Sequence, residues 1–165
     1  MEYWDLYDAE RKPLGRTHAR GTAFEEGEYY VCCEVWVMNS AGAFLTTKRH
    51  PALKAGNQWE FVGGGTAAGE TTKQSAVREL LEETAIKAEE SELTFLATYQ
   101  KKNYFLDIYI LHRDVALEDI VLQEEEAVDV KWATDAEIRR MIANGEFAHS
   151  VGKRYELFAE KIAKV

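Results

Sequence analysis

Three glutamates in one predicted helix are the clearest chemical feature of this 165-residue sequence. Glu79, Glu82 and Glu83 stand at positions i, i+3 and i+4, so a helix places all three carboxylates on one face. Like charges at this spacing repel one another, and a helix that served stability alone would avoid them. A hard divalent cation removes the repulsion, because Mg²⁺ is bound by carboxylates, waters and substrate phosphates. The segment therefore predicts a metal site for phosphate chemistry.

The segment that contains these glutamates has the spacing G-x5-E-x7-R-E-L-L-E-E-T-A-I. It resembles the signature box of the Nudix hydrolases, a MutT-like box written G-x5-E-x7-R-E-U-x-E-E-x-G-U, where U is aliphatic. The matching positions are Gly64, Glu70, Arg78, Glu79, Leu80, Glu82, Glu83 and Ile86. One position departs, since Ala85 stands where the family has a glycine that ends the helix. A left-handed cap costs alanine more than glycine.

The resemblance implies Mg²⁺-dependent hydrolysis of a diphosphate that joins a nucleoside to another moiety X, and Mn²⁺ is an alternative cofactor. It implies that Glu82 and Glu83 are metal ligands and that Glu79 is a ligand or acts in water activation. Glu70 either binds the metal through water or pairs with Arg78. The substrate is then a small phosphate-containing molecule.

Arg78 and the glycine run complete the central group of candidate residues. Arg78 can bridge Glu82 at i, i+4 and hold a carboxylate in orientation, so it is counted with the three helix glutamates as catalytic. Gly63, Gly64 and Gly65 permit a tight turn and a close approach of the backbone to the substrate. Gly64 is the box glycine and is counted with the metal site as well.

Two further groups of candidates have weaker support. Many Nudix enzymes have an additional metal ligand or general base in a loop that corresponds to Gln123–Glu126, and Glu125 is the candidate here. The sequence does not distinguish Glu125 from Glu124 or Glu126, and a plain acidic loop is the alternative. Lys48 and Arg49 end the strand before the box, where they can meet substrate phosphates, although surface cations are the commoner explanation.

The elements that position these residues follow from hydrophobic periodicity and turn signals. Strands are predicted at Trp4–Tyr7, Gly15–Arg20, Tyr29–Met38, Ala43–Arg49, Leu93–Gln100, Tyr104–His112 and Ala127–Ala133, with an extended segment at Trp59–Val62. Helices are predicted from a cap at Thr71 or Thr72 to about Ala85, from Asp135 to Ala143, and from a cap at Ser150 to about Ala163. On the first helix, Ala76 and Leu80, with Val77 and Leu81, supply the buried side.

This order of elements predicts an α+β protein with a mixed sheet packed between helices. The resemblance implies the Nudix fold, an α/β/α sandwich, here in one domain over residues 1–165. Residues 1–28 form a short N-terminal β module, and residues 64–86 form the box.

Composition restricts the function classes further. The net charge of −9 argues against a dedicated surface for nucleic acid or anionic membranes, which needs a basic patch. The acidic N-terminus has no apolar run, and no stretch approaches the length of a membrane span, so we expect a cytoplasmic protein. Cys32 and Cys33 are adjacent and point to opposite faces of a predicted strand, so we expect no mutual disulfide.

The N-terminal segments indicate a subgroup and a rival function. Trp4–Asp8, Gly15–Thr17, Val35–Ser40 and Phe44–Arg49 resemble proteins related to isopentenyl-diphosphate isomerase. That enzyme type uses a cysteine just after the strand equivalent to Phe44–Arg49, and His50–Ala55 contains none. We therefore favour a hydrolase over an isomerase. A non-catalytic Nudix ligand-binding module is a third alternative, which the retention of all four box glutamates weakens. A homodimer is a further hypothesis.

Overall fold

A computed structural model describes residues 2–164 of the chain. Its strands are β1 (Tyr3–Tyr7), β2 (Pro13–Ala19), β3 (Tyr30–Met38), β4 (Phe44–Arg49), β5 (Trp59–Glu60), β6 (Val62–Gly65), β7 (Thr94–Lys101), β8 (Tyr104–His112) and β9 (Ala127–Ala133). Its α-helices are α1 (Thr72–Thr84), α2 (Asp135–Ala143) and α3 (His149–Phe158). Short 3-10 helices occupy Glu90–Glu92, Leu117–Asp119 and Ala159–Lys164.

Seven of these strands form one mixed sheet around β3. The order is β5-β4-β3-β8-β7, with β6 paired to β3 and β9 paired to β4. β3 and β8 run parallel from Tyr30 opposite Tyr104 to Met38 opposite His112, whereas the other pairs in this sheet are antiparallel. The remaining strands, β1 and β2, form a separate antiparallel hairpin. The predicted mixed sheet and N-terminal β module are therefore confirmed.

Helices cover both faces of the sheet because β3 is apolar on both sides. Val35 and Val37 face α1, where they form one core cluster with Ala76 and Leu80. Trp36 lies on the opposite face, in a second cluster with residues of α2 and α3. A strand that is buried on both faces lacks the polar alternation of a surface strand. The result is the predicted α+β architecture, an α/β/α sandwich.

The two cysteines of β3 illustrate this alternation. Cys32 belongs to the cluster beside α2 and α3, and Cys33 belongs to the cluster beside α1. Their opposite directions are those that the strand periodicity predicts, and both are buried free thiols. No helix within residues 2–164 combines the length and the apolar composition that crossing a membrane requires.

Helix α1 begins and ends where its local sequence predicts. The Thr71 hydroxyl accepts a hydrogen bond from the Gln74 amide, and the Gln74 side chain accepts one from the Thr71 amide, which forms a capping box. At the other end Ala85 adopts a left-handed conformation with φ of 60°, so alanine fills the family's glycine position without moving the helix terminus. The predicted burial of Leu81 is wrong, because this side chain is 44% exposed.

Two local predictions are corrected by long-range pairing. Gly63–Gly65 belongs to β6 rather than to a tight turn, because its backbone pairs with β3. Helix α3 begins at His149, and its N-cap is Ala148 rather than Ser150. The Ala148 amide donates to the Trp59 carbonyl at 2.8 Å, which fixes the chain against β5 just before the helix.

The N-terminal hairpin is attached to the sheet through a buried carboxylate. Arg11, in the turn between β1 and β2, donates both terminal guanidinium nitrogens to the Asp107 oxygens at 2.8 and 2.5 Å. Thr72 and Thr98 donate hydroxyl hydrogen bonds to the same carboxylate. Burial alone would raise the pKa of Asp107, but these bonds outweigh it and hold the pKa below its ordinary value.

We expect Asp107→Asn to lower the free energy of unfolding by about 3 kcal/mol at pH 7, because it leaves a partly buried guanidinium without its countercharge. A carboxylate with a lowered folded-state pKa stabilises the fold above its unfolded pKa of about 3.9, and that contribution is lost as the pH falls through the folded-state value. Urea denaturation at pH 7 and at pH 3 measures both effects, and the difference between parent and variant should shrink at the lower pH. Asp119→Asn, at an exposed position, is the matched control. Equal urea midpoints for parent and Asp107→Asn at pH 7 would contradict the expectation.

Candidate active site

The exposed side of α1 carries a cluster of charges organised by Arg78. Its guanidinium group donates to Glu70 at 3.0 Å, to Glu79 at 2.8 Å and to Glu82 at 3.1 Å. It also donates to the Ser75 hydroxyl at 3.0 Å. With these partners the guanidinium is fixed in one orientation, and it fixes the three carboxylates in turn. Glu70 is thus an Arg78 partner in this structure.

Strand β6 lies directly against this cluster because it lacks side chains. A Cβ atom added to Gly64 would stand 2.4 Å from Glu79 Oε1, so glycine leaves the space that the carboxylate occupies. A Cβ atom on Gly63 would stand 2.3 Å from the Cys33 carbonyl oxygen of β3. The glycines thus allow a close approach of the backbone to α1 and β3, within a strand instead of a turn, and their approach to a substrate stays a prediction.

Glu83 lines the same region but makes no ion pair with Arg78. Burial raises its pKa well above the ordinary value, and the nearby charges of Glu79, Glu60 and Glu126 raise it further. The Arg49 charge acts in the opposite direction and does not offset this effect. Within residues 2–164 no ion pair neutralises Glu83. Its surroundings therefore have an excess of negative charge.

Glu60 contributes a further acidic group at the edge of this region. Burial raises the pKa of Glu60 to about 7, even though Arg49 donates to its carboxylate at 2.6 Å. Arg49 also donates to the Lys54 carbonyl oxygen, so two partners hold its guanidinium. Arg49 thus serves as the partner of Glu60.

A cavity of about 180 Å³ lies between α1, β6 and the N-terminal hairpin. We call it the carboxylate cavity, and it is lined by Glu2, Arg20, Gly63, Gly64, Gly65, Arg78, Glu79, Glu82, Glu83, Gln123 and Glu126. Five carboxylates and two guanidinium groups thus meet in one small space. A site of this composition favours a divalent cation and repels an anionic substrate that arrives alone.

A second cavity of about 320 Å³ adjoins the first across the glycine strand. We call it the aromatic cavity, because Trp4, Tyr30, Phe61 and Tyr104 contribute to its wall. Both cavities are lined by Arg20 and by Gly63–Gly65. A molecule that spans the glycine strand can therefore occupy both.

The oxygen-only ligand set of the carboxylate cavity suits Mg²⁺ or Mn²⁺. Among residues 2–164, no three His, Cys, Asp or Glu side chains already have the geometry of a metal site. Arg78 holds Glu79 and Glu82, whereas no ion pair within residues 2–164 holds Glu83. Glu83, a partly buried carboxylate without a countercharge, is therefore a candidate for holding a cation.

Not every predicted site residue reaches a cavity. The residue of the Gln123–Glu126 run that lines the carboxylate cavity with Gln123 is Glu126, and Glu125 does not line it. Lys48 and Arg49 line neither cavity, and the Lys48 ammonium lies 6.0 Å from the Trp59 ring centre. Their roles in binding metal or substrate stay predictions.

Several residues that line the cavities were not singled out by sequence reasoning as site residues, among them Glu2, Trp4, Arg20 and Glu60. Glu2, Trp4 and Arg20 come from the hairpin, and only its docking on β6 brings them to the site. Glu60 did carry a local signal. It is the one polar residue in the run Trp59–Val62, and a charge between aromatic residues on a buried strand needs a partner.

Comparisons with known proteins agree with this geometry. The family model described as the NUDIX domain matches residues 31–151. An uncharacterized Nudix hydrolase of Listeria monocytogenes is 34% identical over 149 residues, which cover 89% of this chain and 88% of that protein.

Solved structures share the fold. A Deinococcus radiodurans protein superposes with a TM-score of 0.75 at 22% identity, covering 89% of this chain and 92% of that one. A bifunctional NMN adenylyltransferase/ADP ribose pyrophosphatase from Francisella tularensis, complexed with AMP and a manganese ion, gives a TM-score of 0.66 at 19% identity. That match covers 81% of this chain and 42% of the other. On the family-model match and the Listeria relative, with the fold in agreement, this chain belongs to the Nudix hydrolase family.

Proposed function

We propose that this chain is a metal-dependent pyrophosphohydrolase that cleaves the diphosphate linkage of a nucleoside diphosphate joined to a moiety X. The observation that carries the proposal is the carboxylate cavity, where the box glutamates meet a side-chain-free strand. The neighbouring aromatic cavity gives X a place on the far side of that strand. Hydrolysis of a diphosphate needs both features, a site for metal and phosphate and a site for the group that carries it.

Glu79, Glu82 and Glu83 are our proposed metal ligands, and Glu126 replaces Glu125 as the proposed additional carboxylate. A bound Mg²⁺ or Mn²⁺ supplies charge neutralisation and orientation of the phosphates. Arg78 acts as a positioning residue, because it holds the Glu79 and Glu82 carboxylates that the cation must share.

The backbone of β6 is the proposed floor for the diphosphate. Gly63, Gly64 and Gly65 line both cavities without a side chain, so a substrate can lie close to the strand. The aromatic side chains beyond it suit a planar or apolar X. ADP-ribose is our first candidate substrate, because the name of the Francisella relative includes an ADP ribose pyrophosphatase.

The protonation of the two cysteines favours a hydrolase over an isomerase. Burial raises the pKa of Cys33 to about 12, and burial also raises the pKa of Cys32. Both thiols therefore stay neutral at physiological pH and are poor acids or nucleophiles there. Isopentenyl diphosphate nevertheless belongs in the assay, with its isomer as the product to detect.

We expect metal-dependent release of phosphate or of a nucleoside monophosphate from at least one compound in a panel of ADP-ribose, sugar nucleotides, dinucleotides, nucleoside triphosphates and isopentenyl diphosphate. Glu82→Gln should lower kcat/KM by about 100-fold or more, since it removes a proposed ligand. Glu118→Gln, at an exposed position away from the cavities, should act like the parent. Turnover in EDTA, or full activity of Glu82→Gln, would contradict the proposed mechanism, and formation of the isomer would favour the rival enzyme.

Metal binding can be tested separately from turnover. We expect Mg²⁺ to raise the Tm of the parent at pH 8 and to leave the Tm of Glu83→Gln unchanged. In EDTA the variant should be the more stable protein, because a carboxylate whose pKa folding has raised costs stability once it is ionised. Thermal scans with and without Mg²⁺ measure both effects. An equal Mg²⁺-induced shift in parent and variant would remove Glu83 from the ligand set.

Two neighbouring glycines should respond differently to alanine. Gly64→Ala should lower kcat by at least about 10-fold with little change in stability, because its Cβ displaces only the flexible end of Glu79. Gly63→Ala should instead cost about 2 kcal/mol of unfolding free energy, since its Cβ meets the β3 backbone. Urea unfolding and steady-state kinetics on both variants test the contrast. If Gly64→Ala keeps full activity, the exact position of Glu79 is unimportant for turnover.

A further inference from the structure

Binding of a diphosphate in these cavities requires a positively charged side chain that can contact the substrate. A diphosphate brings several negative charges into a space already lined by five carboxylates. Arg78 is occupied by Glu70, Glu79 and Glu82. Arg154, in the aromatic cavity, is buried in an ion pair with Glu34. Neither guanidinium is free to bind a phosphate without breaking bonds that hold the fold or the metal site together.

Arg20 differs from both in exposure and position. It directly follows β2, its side chain is 63% exposed, and it lines the carboxylate cavity and the aromatic cavity alike. Its recorded side-chain partner is Glu2, at 2.7 Å. The pKa of Arg20 is raised above its ordinary value, first by this hydrogen bond, and the charges of Glu126 and Glu79 contribute as well. Arg20 lines the same carboxylate cavity as the proposed metal ligands Glu79, Glu82 and Glu83.

Glu2 is held in place for this pairing. One of its oxygens accepts from Arg20, and the other accepts from the Trp4 indole nitrogen at 3.0 Å. Trp4 stacks on Tyr30 with ring centres 4.5 Å apart. It also lies against Gly65, where an added Cβ would stand 2.7 Å from the indole nitrogen. The carboxylate thus occupies a defined place opposite Arg20 at the junction of the cavities.

The hairpin that carries these residues is itself fixed beside α1. The Gly69 amide donates to the Asp5 carboxylate at 2.8 Å, and the Ala68 amide donates to the Tyr3 carbonyl at 2.8 Å. The Arg20 amide donates to the Glu2 carbonyl at 2.9 Å, which joins the two ends of the hairpin. The guanidinium and its carboxylate partner are therefore positioned before any substrate arrives.

We propose that Arg20 binds the substrate phosphate at the junction of the two cavities and exchanges the Glu2 carboxylate for it. This inference rests on the proposed function. It assigns phosphate binding to a side chain of the hairpin, in place of Lys48 and Arg49. Glu2 and the ligand compete for the Arg20 guanidinium. A ligand with little negative charge does not displace the Glu2 carboxylate, whereas a diphosphate, with its higher charge, does. The pair then acts as a filter for substrate charge.

Binding of methylenediphosphonate in the presence of Mg²⁺, measured by titration calorimetry, tests the exchange without turnover and without knowledge of X. Arg20→Gln should weaken binding by about 10-fold or more, the loss expected for one charge-assisted contact. Glu2→Gln should strengthen binding, because it keeps an acceptor for Trp4 but releases Arg20. Lys12→Gln changes the charge of the same hairpin by the same amount at an exposed position that lines neither cavity, and it should bind like the parent.

The double variant separates exchange from a general effect of charge. If Glu2 acts by holding Arg20, the gain from Glu2→Gln disappears in the Arg20→Gln background. A gain that persists there overturns the exchange, as does parent-like binding by Arg20→Gln. With the substrate that the panel identifies, Arg20→Gln should raise KM and leave kcat nearly unchanged. If the parent protein hydrolyses a diphosphate and Arg20→Gln has the same KM and kcat, this inference is overturned and the proposed function stands. If the parent protein neither hydrolyses nor binds any diphosphate, the proposed function is overturned together with this inference.

Discussion

Concentrated negative charge in one small cavity is the constraint on which the rest of this structure depends. Burial raises the pKa of Glu83, and the charges of Glu79, Glu60 and Glu126 raise it further, because repulsion in a buried site is stronger than it would be in water. A chain can keep such a cluster only where other interactions hold it together. Arg78 offsets part of the repulsion, and the negative charge that remains unpaired at Glu83 is the reason that we propose it as a metal ligand.

The three glycines of β6 make the space in which these charged groups come together. An added Cβ would meet the β3 backbone at Gly63, the Glu79 carboxylate at Gly64 and the Trp4 indole at Gly65. Each glycine thus allows a different part of the molecule to approach the strand: the sheet, the helix that carries the glutamates, and the N-terminal hairpin. Their close approach to one strand brings together groups that are distant in sequence.

The sequence could predict whatever depends on local spacing. Strand alternation, the Thr71 cap and the common face of the α1 glutamates all follow from neighbours within a few residues, and the structure has them. It could not predict that Gly63–Gly65 pairs with β3, because a glycine run specifies no partner. The sequence also did not distinguish Glu126 from Glu124 and Glu125, because which of them lines the carboxylate cavity depends on how this segment packs against α1.

The residues of the site come from two parts of the chain, the α1 segment and the N-terminal hairpin. The groups proposed for metal binding lie mostly on α1 and are held by Arg78, within one stretch of sequence. Arg20, Glu2 and Trp4 reach the same cavities from the other side and are held by Asp5 and the Arg11–Asp107 pair. The two sets of supports meet at the Asp107 carboxylate, which accepts from Arg11 in the hairpin turn and from Thr72 at the start of α1. One buried group therefore positions the hairpin, with the proposed phosphate-binding cation, relative to the helix that carries the proposed metal ligands.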